Sequence, residues 1–283
     1  MESRWITRLL LLPATAWFAV MLVLPLVVVV VFSFGERGPA GGYVPAFTFD
    51  QYLNLPARLT AFKNTLVLAP LGTLAALAVA YPLAYYLAVR ASPRLRTPLL
   101  VLVILPFWTS ILIRTYAWIF ILGGRGLPQL LEWVGFADVR LMNTPFAVLV
   151  GIVYGYLPLM VFPIYVSLEK LDKRLLEASA DLGAAPWRTF LQVTLPLSLP
   201  GVATGCMLIF ILLMGEFLIP ALLGGGKVFF VGNALVDLFL QSRNWAYGSA
   251  VAASLVALML VTVTLYMRLM KRGMGQRDDV SML

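Results

Sequence analysis

Of the chain's 283 residues 61% are hydrophobic and only 12% charged, against about 25% charged in ordinary soluble domains. That balance excludes a soluble enzyme and leaves a polytopic membrane protein with little chain for any domain outside the bilayer. Histidine is absent, which removes most zinc, haem and acid/base chemistry, and the one cysteine, Cys206, cannot form an intrachain disulfide.

A bilayer core of about 30 Å takes roughly 20 apolar residues per helix, and six stretches qualify: residues 9–34, 64–89, 98–122, 145–167, 197–222 and 248–270. The expectation is an all-α fold with six transmembrane helices. The first stretch follows Arg4 and Arg8 but is longer than the roughly 7–15 apolar residues of a signal-peptide core, and no small-residue cleavage site follows it. It is expected to remain as the first span. Residues 35–45 (GERGPAGGYVP) then break the helix, and residues 47–55 are expected along the membrane interface. Gly123, Gly124 and Gly126 open the next outer loop. Residues 224–226 open another, whose stretch 233–241 (NALVDLFLQ) has apolar residues at helical spacing and either rests on the membrane or folds back toward a pore. Prolines at 13, 25, 70, 82, 106, 158, 163, 200 and 220 each remove a backbone hydrogen bond within a span. They read either as packing irregularities or as bends in a gated path.

With the N-terminus inside, the inner segments carry Arg4 and Arg8; Arg90, Arg94 and Arg96; Lys170, Lys173, Arg174 and Arg188; and Arg268, Lys271, Arg272 and Arg277. The outer segments carry Arg37, Arg58, Lys63, Arg125, Arg140, Lys227 and Arg243. This excess of inner Lys and Arg predicts that both termini and the 168–196 loop are cytoplasmic. The formal charge of +8 therefore reports topology, and nucleic acid is not an expected partner.

The 168–196 loop is amphipathic inside an apolar chain. Apolar residues at 168, 171, 175, 178 and 182 recur in steps of three and four, which predicts one helical face from Leu168 to Leu182. Gly183 suits the left-handed position that ends a helix, and Pro186 suits the first turn of the next, running through Trp187, Phe190 and Leu191. Two short helices meeting at a glycine corner are expected. Read from pattern alone, such helices also simply lie at a membrane interface.

Glu177, Ala178, Ser179 and Gly183, followed by Val193, Leu195 and Pro196, resemble the EAA loop of ABC importer permeases, with Ser179 in place of a third small alanine. The resemblance implies the MetI-like fold of type I importer permeases. It also implies a bacterial inner-membrane protein, an ATPase-coupling loop that includes Asp181, Leu182 and Ala184, and docking of that loop in a cleft of a cytoplasmic ATPase. On this reading residues 1–63 hold the first span and a periplasmic loop. Residues 64–270 form a core of five spans with the coupling loop at 168–196, and 271–283 a cytoplasmic tail. Implied partners are a second, nonidentical permease subunit, two ATPase subunits that bind ATP and Mg, a periplasmic substrate-binding protein and the bilayer. The chain itself has no cofactor and no catalytic residue on this reading. It lacks the G-x-x-x-x-G-K-[ST] phosphate loop, residues 224–227 being GGGK without the spacing.

Residues 105–120 (LPFWTSILIRTYAWIF), 215–217 (GEF) and 244–250 (NWAYGSA) resemble the permeases of spermidine/putrescine importers, most of all the first permease subunit of such systems. A flexible polycation calls for carboxylates and aromatic faces. Glu216 is the one acidic residue well inside an expected span, where an ionisable group marks function by default. It reads either as a substrate group or as a structural partner of Arg114 or of backbone donors. Trp108, Tyr116, Trp118, Tyr154 and Tyr156 offer aromatic faces to a passing amine, or pack. Arg114, about 24 Å along span three from Pro98 if that span is straight, would repel a polyamine and reads as a gate or structural ion pair. Asp237 receives substrate or contacts the binding protein, or is a solvated loop acid. The rivals are an importer of an anionic or zwitterionic solute with Arg114 as ligand group, a passive channel or membrane assembly protein, and an intramembrane enzyme. One glutamate within the spans and no histidine serve the last poorly.

Overall fold

The computed structural model describes residues 2–136 and 138–278; residues 279–283 of the expected tail lie outside the described residues. The elements run α1 (Glu2–Ser33), β1 (Glu36–Arg37), β2 (Tyr43–Val44), α2 (Asp50–Leu53), α3 (Leu59–Tyr85), α4 (Pro93–Trp108), α5 (Ile111–Leu122) and α6 (Leu127–Trp133). They continue with α7 (Pro145–Glu169), α8 (Lys173–Asp181), α9 (Pro186–Thr189), α10 (Leu195–Met214), α11 (Leu218–Leu223), α12 (Val231–Val236) and α13 (Trp245–Asp278). Wider π-helical turns carry α3 on to Arg90, join α9 to α10 and extend α12 to Gln241.

Among the described residues, five helical stretches are long and apolar enough to cross a membrane: Leu10–Ser33, Leu55–Arg90, Pro145–Glu169, Pro186–Met214 and Trp245–Met270. The third expected span is not the straight helix that its hydropathy suggests, because Pro93–Trp108 and Ile111–Trp133 meet at 92°. Pro106 brings no N–H and crowds the preceding turn. The Thr109 hydroxyl and N–H then both bond the Pro106 carbonyl, at 2.7 and 3.2 Å, while Thr109 and Ser110 take extended backbone. A rise counted along a straight helix from Pro98 therefore does not place Arg114. The fifth expected span also stops early, α10 ending at Met214 and the helix restarting at Leu218. Glu216 consequently lies in a break, not in the middle of a continuous span.

The chain divides into two compact units. One holds residues up to Leu59 together with Ala234–Leu260, the other Thr60–Asn233 together with residues from Val261 on. In the first unit the apolar side chains of α1 from Leu10 on are mostly exposed, as suits lipid contact. Beyond its end, Phe34 stacks with Phe47 and meets Phe49 and Tyr52, and Ser33 shares a 2.7 Å hydrogen bond with Tyr52. The β1–β2 hairpin is tied down where Arg37 donates to the Ser242 carbonyl at 2.8 Å and Gly42 donates to that of Arg243 at 2.7 Å.

The second unit holds the membrane core. One stripe of α3 buries Ala69, Gly72, Thr73, Ala76, Ala80 and Ala84. Such small residues let neighbouring helices approach closely where no hydrophobic effect separates protein from lipid. The same device joins α7 to α10. A Cβ on Gly201 would collide with the Pro163 carbonyl and Ser167, and one on Gly205 with Met160. Ile152, Ile164, Ile209, Leu213 and Ile219 close the centre.

Candidate functional site

The coupling segment begins later than its periodicity suggests. Leu168 is buried as part of α7, and the chain turns at Lys170–Asp172 before α8 starts. Asp172 sets that start, its carboxylate accepting the Arg174 N–H at 3.0 Å as an N-cap. At the other end the Gly183 N–H bonds Ala180 O at 2.8 Å and the Ala184 N–H bonds Ser179 O at 3.1 Å. These two bonds form a Schellman closure, and it places Gly183 at φ +77°, a left-handed conformation nearly free for glycine and strained for other residues. Pro186 then opens α9, where a missing N–H costs nothing.

Ser179, at the third EAA position, shares a 2.8 Å hydrogen bond with Thr189 and so pins α8 to α9 across the corner. Glu177, Ala178, Asp181 and Leu182 are exposed, Leu182 by 88%, while Ala184 is half-buried. Trp187 is also exposed and carries the Arg188 guanidinium 5.4 Å from its ring. The segment is thus a bent pair of helices, pinned at its corner, whose apolar tip is exposed among the described residues.

A second constellation lies inside the core. Glu216 is 7% exposed, and its Oε1 accepts the N–H groups of Leu218 at 2.8 Å and Ile219 at 3.2 Å. In that geometry it caps α11 with a longer side chain than the usual Asp or Ser. Its other oxygen, Oε2, accepts the hydroxyl of Tyr156 from α7. The Asn233 amide donates to the Phe217 carbonyl at 2.7 Å and accepts the Phe230 N–H, so side chains satisfy the interrupted backbone on both sides. Arg114, 8% exposed, donates to the Gly155 carbonyl at 3.4 Å, and its guanidinium stands 5.8 Å from the Phe107 ring, across the α4–α5 break. Its Nε is buried with no hydrogen-bond partner among the described residues.

No ion pair forms between Arg114 and Glu216 among the described residues; Tyr156 stands in the field of both. By sequence Tyr156 stands only among the aromatic faces. Its hydroxyl role has no local signal, because the partner is 60 positions away.

The remaining expected residues separate. Trp108 and Tyr116 are exposed at 79% and 50% on either side of the α4–α5 break. Trp118 and Tyr154 pack edge to face, ring centres 5.6 Å apart. Asp237 is in neither constellation. It belongs to the other compact unit, where it makes a 2.8 Å ion pair with Arg58, both side chains part-exposed.

Residues 80–276 match the family described as binding-protein-dependent transport system inner membrane component. The chain is 40% identical over 258 residues to the spermidine/putrescine transport system permease protein PotB of Haemophilus influenzae, covering 89% of this chain and 90% of that protein. To the protein of the same name from Escherichia coli K12 it is 39% identical over 257 residues, covering 89% and 93%. The crystal structure of a bacterial alginate ABC transporter in complex with an alginate pentasaccharide-bound periplasmic protein contains a chain of the same fold. It superposes with a TM-score of 0.78 at 20% identity, over 96% of each chain.

Proposed function

The chain belongs to the family of binding-protein-dependent transport system inner membrane components, and we propose that it is the permease subunit of an ATP-driven importer for polyamines such as spermidine and putrescine. The observation that carries this reading is the likeness, over nine-tenths of the chain, to permeases named for that transport. The chain forms half of a translocation path and hydrolyses nothing itself. Its partners are a second, nonidentical permease subunit, a periplasmic substrate-binding protein and two cytoplasmic ATPase subunits that bind ATP and Mg. Both termini face the cytoplasm.

ATPase closure presses on α8 and α9. The Schellman corner and the Ser179–Thr189 bond make them move as one piece, and α9 runs through Phe190–Thr194 directly into α10. Displacement at the tip therefore reaches the helix that ends beside Glu216. There the carboxylate divides its work. Oε1 is committed to two backbone N–H groups, whereas Oε2 faces a single hydroxyl. An ammonium group can replace that hydroxyl, exchanging a neutral donor for a charged one in a setting where charge-assisted bonds are strong. The exposed rings of Trp108 and Tyr116, with the Trp118–Tyr154 pair, offer cation–π faces along the way. Arg114, held by the Gly155 carbonyl, repels the amine and serves as a gate or structural cation.

The buried Nε of Arg114, without a partner among the described residues, favours a second reading, an importer of an anionic or zwitterionic solute. Uptake of labelled spermidine and putrescine in a strain lacking its other polyamine systems decides between them. Loss of uptake on deletion of this gene supports the polyamine reading; unchanged uptake rejects it.

A further inference from the structure

Where α7 leads into the coupling segment, α7, α8 and α10 enclose a groove of about 810 Å³ that the path described above does not use. Its floor exists because Gly201 brings α10 against the Pro163 carbonyl and Ser167, where a Cβ would collide. The walls are Phe162 and Val166 from α7, Leu197 and Pro200 from α10, and Leu171 and Leu175 from the turn and the start of α8. Val166, Leu175 and Leu197 are exposed. The two hydroxyls in the lining spend their protons within it, Ser167 donating to the Leu197 carbonyl at 3.4 Å and Thr204 to that of Pro200 at 2.8 Å.

The mouth of the groove has the opposite character. Lys170 stands on its rim, exposed and without an ion pair among the described residues, and residues 170–174 read KLDKR, three cations to one acid. The acids nearby are engaged. Asp172, also on the rim, caps α8 through the Arg174 N–H, and Glu169 accepts from Tyr165 and Arg96. From Phe162 to Lys170 the helix rises about 12 Å, most of the roughly 15 Å that one leaflet contributes to a hydrocarbon core. An amphiphile with an apolar chain and an anionic head matches both parts.

We propose that this groove binds an acidic phospholipid of the cytoplasmic leaflet, one acyl chain lying against Val166, Leu175 and Leu197 and the phosphate head at Lys170. A hydrocarbon chain brings no backbone group that apolar walls would leave unpaired, and the negative surface of the cytoplasmic leaflet attracts basic residues beside a span. Because Leu171 and Leu175 belong to the coupling segment, the seated chain covers apolar surface of that segment itself. This inference rests on the orientation proposed above, with α8 cytoplasmic.

The test places the complete transporter in phosphatidylcholine vesicles doped with phosphatidylglycerol or phosphatidylcholine that carries a photoactivatable diazirine on one acyl chain. After illumination, adducts are mapped by mass spectrometry to the peptides holding residues 162–171 and 197–204. The expected result is about fivefold more labelling there from phosphatidylglycerol than from phosphatidylcholine, the preference that one lysine near the surface gives. K170Q should abolish that preference and K170R keep it, while L197W, which fills the groove, should lower labelling by both lipids. Equal labelling by the two lipids in the wild type, which is ordinary contact with the surrounding bilayer, overturns the site, as does an undiminished preference in K170Q. Labelling by neither lipid also overturns it, and a crosslink from a benzophenone on V166C to the second permease subunit would then name the occupant. Orientation is read separately: an impermeant maleimide should reach K170C in inside-out membrane vesicles, and access only from the opposite side overturns the orientation and the choice of leaflet with it. Labelling requires no transport, so its outcome does not depend on which solute the complex carries.

Discussion

At Gly183 and at Glu216 one helix stops and another starts within a few residues, yet the two breaks are closed by different means. The Gly183 corner is exposed. Its carbonyls are satisfied by the next two N–H groups and its geometry by a glycine at positive φ, so everything the break requires lies within six residues. The Glu216 break is buried, where an unpaired backbone group costs several kcal/mol, and its closure draws on Tyr156, Asn233 and the Glu216 side chain itself. The first arrangement leaves its surface free for a partner. The second uses up its polar groups, and only Oε2 keeps a donor that can be exchanged.

The largest expected effect breaks the internal closure. Glu216→Ala leaves the Leu218 and Ile219 N–H groups without their acceptor and should lower stability by about 3 kcal/mol, read as a fall in the thermal midpoint of the detergent-purified complex. Glu216→Gln keeps an acceptor for both N–H groups. It should cost about 1 kcal/mol in stability while reducing polyamine uptake far more than that loss accounts for. Equal stability losses for the two variants would remove the capping role, and full uptake by Glu216→Gln would remove the substrate role.

Gly183→Val tests the exposed corner. A Cβ there meets no atom within 4 Å, so the penalty is conformational, about 1–2 kcal/mol, and confined to the loop. Membrane insertion should be normal and ATPase association weakened, with Gly183→Asn milder because asparagine tolerates positive φ. Co-purification of the ATPase measures it; wild-type recovery with Gly183→Val would separate the corner from docking.

Tyr156→Phe should cost about 1.5 kcal/mol through the lost bond to a charged acceptor. Because it also empties Oε2 for an ammonium, it should lower the KM for polyamine rather than raise it, which uptake titration will show. The smallest effect is expected from Ser179→Ala, about 0.5–1 kcal/mol for the Ser179–Thr189 bond, visible as faster proteolysis of the loop.

The sequence reveals what is locally determined. Gly183, Pro186 and the amphipathic spacing announce the corner because a Schellman closure and a proline at the first helical position are short-range chemistry. Six apolar stretches announce the spans by length alone. Hydropathy does not show where a span breaks: Thr109–Ser110 and Gly215–Phe217 sit in runs as apolar as their neighbours, and the 92° bend follows from the proline and hydroxyl bonding at Pro106 and Thr109. Leu168 fits the amphipathic period of the loop yet belongs to α7, since a periodic pattern continues smoothly across a turn that Asp172 makes. The pairings of Asp237 and Tyr156 are not legible in the sequence for one reason. Their partners, Arg58 and Glu216, are distant in the chain, and no local pattern encodes such a pairing.

The central claim is that this permease moves polyamines at the expense of ATP hydrolysed elsewhere. The most direct measurement reconstitutes the whole complex in proteoliposomes with its binding protein and follows labelled spermidine, putrescine and an anionic solute with ATP present or absent. The account predicts ATP-dependent accumulation of a polyamine and none of the anion. Accumulation of the anion instead, or polyamine flux that does not depend on ATP, would contradict it.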